Sequence, residues 1–275
     1  MKKGLKNLWI LLALAFVVFF ALSIFDIPEI CGYKPKSSEL ADVLFEEREH
    51  EEESDEYNEE EYAEVVETDS DTILASDPQS IFPVPADTTT QTILFIGDSM
   101  LDGLSPRLAA YSNQSGFHQY SVIWYSSTSE KWSKAKRVKE YIEKINPTFI
   151  FICLGSNELM VKDIIEKRQQ FVSDIIDQIG NIPYLWIGPP NWREDTGINR
   201  LIQNNVPEGC YFRSAGMKFE RRKDGAHPTL ASASLWMDSI IRWMPEHSAH
   251  PISFEIPEKK TGKVDHIFIH SPSED

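Results

Sequence analysis

Gln91-Thr92-Ile93-Leu94-Phe95-Ile96-Gly97-Asp98-Ser99-Met100 decides how the rest of the chain is read. The run is apolar through Ile96, stops at Gly97, and passes through two polar residues into a helical period over about 100 to 112. A short strand without polar alternation is one buried on both faces, and a helix straight after it is the start of a β-α unit.

The same grammar repeats downstream. Tyr120-Ser121-Val122-Ile123-Trp124-Tyr125 reads as a second strand, and residues 131 to 145 as a helix stopped before Pro147. Thr148 to Leu154 reads as a third strand, apolar on both faces. A helix over about 159 to 179 places Val161, Ile164, Ile165, Phe171, Ile175, Ile176 and Ile179 at helical spacing. Ile182 to Ile187 makes a fourth strand, 196 to 205 a short helix, Cys210-Tyr211-Phe212 a fifth strand, and 229 to 243 a last helix. This alternation predicts a three-layer α/β/α sandwich around a five-stranded parallel sheet, flavodoxin-like, over 91 to 245. Residues 246 to 275 carry two alternating stretches, Ile252 to Ile256 and Asp265 to His270, around Lys-Lys-Thr-Gly; they predict a small hairpin or an extended tail. No glycine-rich dinucleotide loop follows the first strand, so a nucleotide fold is not supported.

Parallel strands end together, and ligands gather at their carboxyl edge. Three polar sets fall there: Gly97-Asp98-Ser99 after the first strand, Gly155-Ser156-Asn157-Glu158 after the third, and Asp224-Gly225-Ala226-His227 after the fifth. Each is weak alone; their convergence is the argument. A serine hydroxyl needs a base to become a nucleophile, and histidine is the side chain poised to serve near neutral pH. A carboxylate three residues before it can orient the ring. The Ser99 N–H at a helix start and the Asn157 amide can face a developing oxyanion. Asp98 reads as a helix cap and Glu158 as a solvated or capping residue.

On these residues the chain resembles the SGNH hydrolases, also called GDSL-type esterases and lipases, over about 91 to 244. Gly97-Asp98-Ser99 matches the family's first block, Gly155-x-Asn157 its third and Asp224-x-x-His227 its last. The resemblance implies a serine esterase fold, with Ser99 as nucleophile, His227 as base, Asp224 as its orienting acid, and Ser99, Gly155 and Asn157 about the oxyanion hole. The chain departs from the pattern at the second block, where a glycine N–H is usual. Tyr125-Ser126-Ser127-Thr128-Ser129 stands there instead, and an N–H of Ser127 or Thr128 is the expected replacement.

The net charge of −16 is local. Between Glu39 and Asp71 stand 17 acidic residues and one basic residue, and the remainder of the chain is neutral. Such a run reads as a solvated spacer within a disordered acidic linker over 26 to 90, with cation or partner binding as the alternative. No basic stripe suggests nucleic acid. Residues 8 to 25 are apolar except Ser23, with Lys2, Lys3 and Lys6 before them, leaving 1 to 7 as a cytoplasmic N-terminus. They read as a transmembrane signal-anchor that places the rest outside the cytoplasm, periplasmic or extracellular; a cleaved signal peptide giving a secreted product is the alternative. Cys31 lacks a good lipoprotein box before it. Three cysteines without C-x-x-C spacing suggest neither a disulfide framework nor zinc, and no metal or organic cofactor is called for. The histidines other than His227 are scattered and read as surface residues.

Asn191-Trp192-Arg193 follows the fourth strand and so reaches the same edge. Trp192 reads equally as a sugar-stacking or acyl-lining residue and as a loop anchor; Arg193 can pair an anionic group. With the compartment, this points to a short acyl group, such as acetyl, on a cell-envelope glycan or other carbohydrate. Acyl transfer by the same residues, and a non-catalytic glycan-binding protein of the same fold, are the competing readings.

Overall fold

The computed structural model describes residues 85–273. The predicted signal-anchor and nearly all of the predicted acidic linker lie outside the described residues, and among those described no helix is long and apolar enough to cross a membrane.

The elements run β1 (Thr92–Gly97), α1 (Leu101–Gln114), β2 (His118–Trp124), α2 (Ser129–Ala135), α3 (Arg137–Ile145), β3 (Phe149–Cys153), a 3₁₀ turn (Ser156–Glu158), α4 (Ile164–Ile179), β4 (Tyr184–Ile187), α5 (Ile198–Asn205), β5 (Tyr211–Phe212), α6 (Leu230–His247) and β6 (His266–His270). The sheet order is β5-β4-β3-β1-β2-β6, and every neighbouring pair is parallel. The chain steps outward from β1 in one direction to β2 and in the other to β3. The crevice beside β1 is therefore the switch point of the sheet.

Successive strand residues point to opposite faces, which divides the core in two. Leu94, Ile96, Val122, Trp124, Ile150, Ile152 and Trp186 pack with Trp132 of α2, Val138 and Tyr141 of α3, Ile164 to Ile179 of α4, and Ile198 to Ile202 of α5. Ile93, Phe95, Ile123, Phe149, Phe151, Leu185 and Ile187 pack with Leu101, Leu104 and Leu108 of α1 and Trp236, Met237, Ile240 and Met244 of α6. On that second face the two helices approach closely. A β-carbon on Gly103 would lie 2.5 Å from the Ala233 Cβ. Farther along, the Arg107 Nε sits 2.7 Å from the Asp238 Oδ1, which also accepts from the Tyr111 hydroxyl at 2.8 Å.

Three expectations are corrected. The sheet has six strands among the described residues, because the C-terminal stretch forms no hairpin and, beyond an extended segment, ends in a further strand. It runs along α1, where the Gly262 N–H donates to the Pro106 carbonyl at 2.8 Å and the Arg107 guanidinium donates to the carbonyls of Lys259 and Lys260. It then adds β6 in parallel to β2, from Tyr120↔His266 to Trp124↔His270. The predicted helix over 131 to 145 is two helices, broken where Lys136 takes a left-handed φ of +53°. His270, read as a surface residue, is half-buried with its Nε2 2.7 Å from the Tyr141 hydroxyl.

Candidate active site

At the end of β1 the backbone comes too close to β3 for any side chain. A β-carbon on Gly97 would lie 2.1 Å from the Cys153 carbonyl oxygen, which the next residue, Asp98, reaches with its N–H at 3.2 Å. This close approach turns the chain so that Ser99 stands just before α1, half-buried at the carboxyl edge.

The Ser99 Oγ is 2.7 Å from the His227 Nε2, and the His227 Nδ1 is 2.7 Å from the Asp224 Oδ2. An ionised carboxylate only accepts hydrogen bonds. The neutral ring therefore carries its proton on Nδ1 and leaves Nε2 to accept from the Ser99 hydroxyl. The loop is built to hold this pair. The Arg222 N–H donates to the His227 carbonyl at 2.8 Å and the Thr229 N–H to the Glu220 carbonyl at 2.9 Å, closing a short antiparallel ladder. Gly225, at φ +70°, makes its turn. The Arg221 guanidinium donates to the Ala226 carbonyl. Partial burial pushes the Asp224 carboxyl up, but bonds from the His227 N–H and ring and from the Ala226 N–H outweigh it and hold the group at about 2. It is a carboxylate throughout the neutral range.

Asp98 is fully buried and does more than precede a helix. Its Oδ1 accepts the Met100 N–H at 3.0 Å, and its Oδ2 accepts the Ser156 hydroxyl. Burial raises it to about 6 against these stabilising bonds.

The expected oxyanion residues fare differently. Gly155 takes φ +120°, a turn conformation that suits glycine, and carries the chain from β3 into the 3₁₀ turn. Asn157 donates one amide N–H to the Ser127 carbonyl at 2.9 Å, tying the β3 loop to the β2 loop. The Ser127 N–H is already spent on the Trp124 carbonyl at 3.1 Å, closing a turn, and its Oγ accepts from the Trp132 indole at 2.9 Å. Ser127 is thus a buried frame residue rather than a donor. Its neighbour Ser126 is exposed and holds φ +53°, a left-handed conformation that costs a non-glycine residue about 1–2 kcal/mol. Among the described residues, neither the Ser99 nor the Ser126 N–H is taken by a protein acceptor. Serine stands at the glycine-like point of the turn, one residue before the expected one.

The solvated reading of Glu158 is corrected, and the helix end that it meets is that of α2. Glu158 is fully buried, accepting the Ser129 N–H and hydroxyl at 2.8 Å each and the Arg168 Nε at 2.8 Å; Arg168 also pairs with Glu130 at 3.0 Å. Its place beside Asn157 was the one sequence signal for a role.

Of the residues after β4, Trp192 is half-buried against both core clusters and donates its indole N–H to the Ser156 carbonyl at 3.1 Å. The Arg193 guanidinium lies over its ring, 5.1 Å from the centroid, and Asn191 accepts from Asn199 at 3.1 Å. Trp192 is held as an anchor, and Arg193 lies exposed on top of it, with Asn191 also exposed.

No family model matches the sequence. No curated protein matches it. Among solved structures, the chain is similar to the psychrotrophic esterase EstA from a Pseudoalteromonas species, at 17% identity over 56% of this chain and 98% of that one, with a TM-score of 0.41. It is also similar to a lipase/acylhydrolase from Enterococcus faecalis, at 16% identity over 58% of this chain and 100% of that one, TM-score 0.44. A third, TesA, matches at 17% identity over 55% and 96%, TM-score 0.41.

Proposed function

We propose that the chain is a carboxylic ester hydrolase of the SGNH type, and one observation carries the reading: the unbroken relay from Ser99 Oγ through His227 to Asp224, at 2.7 Å in both steps. The Ser99 oxygen attacks the ester carbonyl carbon while its proton passes to the His227 Nε2. The carboxylate of Asp224 stabilises the imidazolium that results. The negative oxygen of the tetrahedral intermediate meets the Ser99 N–H and the remaining N–H of the Asn157 amide. The bond to the alcohol oxygen breaks as His227 returns the proton to it. Water then repeats the sequence on the acyl-serine, releasing the acid and restoring Ser99.

For the substrate we infer a short acyl ester, acetyl in the first instance, on a cell-envelope glycan or related carbohydrate. The basis is compartment and site. The apolar stretch over 8 to 25 with its lysine flank favours an anchored protein acting outside the cytoplasm. Arg193 on Trp192 offers a planar cation at the rim for a polar alcohol portion.

The test is fluorophosphonate labelling of the full-length chain purified in detergent, followed by turnover of p-nitrophenyl esters of increasing acyl length. Wild type labels, Ser99→Ala does not, and turnover falls steeply beyond the shortest acyl groups. A folded wild type that neither labels nor turns over acetate ends the esterase reading. A preference for long chains ends the short-acyl reading alone.

A further inference from the structure

The loop after β2 carries serine where a left-handed turn favours glycine, yet the turn is held. Its frame is fixed on both sides of the strained residue. Upstream, Trp124 ends β2 and accepts the Ser127 N–H. Downstream, Asn157 holds the Ser127 carbonyl at 2.9 Å, and the buried Glu158 holds Ser129 by both its N–H and its hydroxyl. With the Ser127 N–H bonded to the Trp124 carbonyl at 3.1 Å and Ser129 pinned, Ser126 spans the turn at φ +53°.

We propose that Glu158 is a positioning residue for this loop: by clamping Ser129 beside the Asn157–Ser127 bond, it keeps Ser126 in the left-handed conformation that presents its backbone N–H as a further oxyanion donor. The proposal rests on the esterase reading. Glu158 touches neither Ser99 nor His227 among its bonds; it acts through the loop. Burial pushes the Glu158 carboxyl up, and the bonds from Ser129 and the Arg168 guanidinium oppose that rise and hold the side chain in place without any solvent exposure. Helix stabilisation is the competing account, since a carboxylate at the first turn of α2 also complements that helix's dipole. The two accounts part on one point. A residue that merely stabilises α2 has no reason to care which residue occupies position 126.

The experiment exploits that point. Turnover of p-nitrophenyl acetate by the full-length chain is measured for Glu158→Gln in the native background and again in a Ser126→Gly background. Glycine adopts the left-handed conformation freely, so it removes the need for the clamp. In the native background Glu158→Gln lowers kcat about tenfold or more, short of or up to the ~10²–10³ of losing an oxyanion donor outright, and moves KM less than twofold. In the Ser126→Gly background the same substitution lowers kcat less than threefold. Equal fold-losses in the two backgrounds overturn the proposal, as does a loss carried by KM. Should Glu158→Gln not fold, Ser129→Ala removes only the hydroxyl donor to the same carboxylate. A smaller kcat loss that shrinks in the Ser126→Gly background supports the clamp; a loss unchanged between backgrounds overturns it. Fluorophosphonate labelling of wild type keeps the two questions apart: a wild type that does not label defeats the esterase reading, whereas one that labels leaves the clamp to stand or fall on the comparison.

Discussion

Asp98 accepts a hydrogen bond from the Ser156 hydroxyl, so the loop that carries Ser99 and the loop that carries Asn157 are joined beneath the surface. Burial holds the Asp98 carboxyl at about 6, above its ordinary 3.8. Between pH 4 and 6 the folded chain therefore keeps a proton that the unfolded chain releases, and this group's contribution to stability falls as pH rises through that window. Asp98→Asn removes that slope. Urea unfolding at half-unit steps from pH 4 to 7 should show the wild type losing ground against the variant as pH rises; parallel curves would show Asp98 ionised throughout.

Gly97 admits no side chain, because the colliding atom is a backbone oxygen of the central strand pair rather than a side chain able to move. Gly97→Ala should cost about 3 kcal/mol, the upper end of what overpacking typically costs. Chemical denaturation measures it. A loss under 1 kcal/mol would mean that β1 and β3 can part locally.

Asn157 separates stability from chemistry. Asn157→Ala removes one loop-tying bond, worth about 1 kcal/mol, and a donor to the developing oxyanion, worth ~10²–10³ in kcat. Comparing the melting temperature with turnover on p-nitrophenyl acetate decides between them. Equal proportional losses would make Asn157 a frame residue only.

Trp192 and Arg193 should also separate. Trp192→Ala empties a site between both core clusters and should cost ~2 kcal/mol, below the ~3–5 of a fully buried tryptophan. Arg193→Ala should leave stability within ~0.5 kcal/mol and raise KM for a bulky polar ester several-fold while sparing p-nitrophenyl acetate. Unchanged KM on both would place the alcohol portion elsewhere.

Asp224→Asn keeps the loop's size but offers an amide to the His227 ring. It should lower kcat/KM by ~10²-fold or more and shift the acid limb of its pH profile, both of which steady-state kinetics reads. Retention of wild-type rate would show that the loop backbone alone orients the ring.

The parallel sheet was legible because β1, β3 and β4 are apolar on both faces, a pattern that solvent contact would erase. The relay from Ser99 to Asp224 falls where strand ends were read, and a loop of four residues confines Asp224 and His227 together. β6 was not legible. His266-Ile267-Phe268-Ile269-His270 alternates as a half-exposed strand does, and its partner β2 lies 146 residues earlier, beyond the reach of any local pattern. Nor does a sequence show that Glu158 is buried: its partners Ser129 and Arg168 stand 29 and 10 residues away, and an acidic side chain without visible partners is read as solvated. The break at Lys136 carries no glycine or proline to announce it.

Ser99 stands one residue before Met100, the cap of α1, at two residues from Leu101, and His227 stands two residues before Thr229, the cap of α6. Those helices are seated on each other at Gly103 and Ala233 and bolted again at Arg107 and Asp238. The 2.7 Å gap between Ser99 and His227 is thus gauged by a helix–helix interface extending more than a turn away from it. Widening that interface, as Gly103→Val would, moves donor and acceptor apart without touching either, so the chemistry should falter well before the fold does.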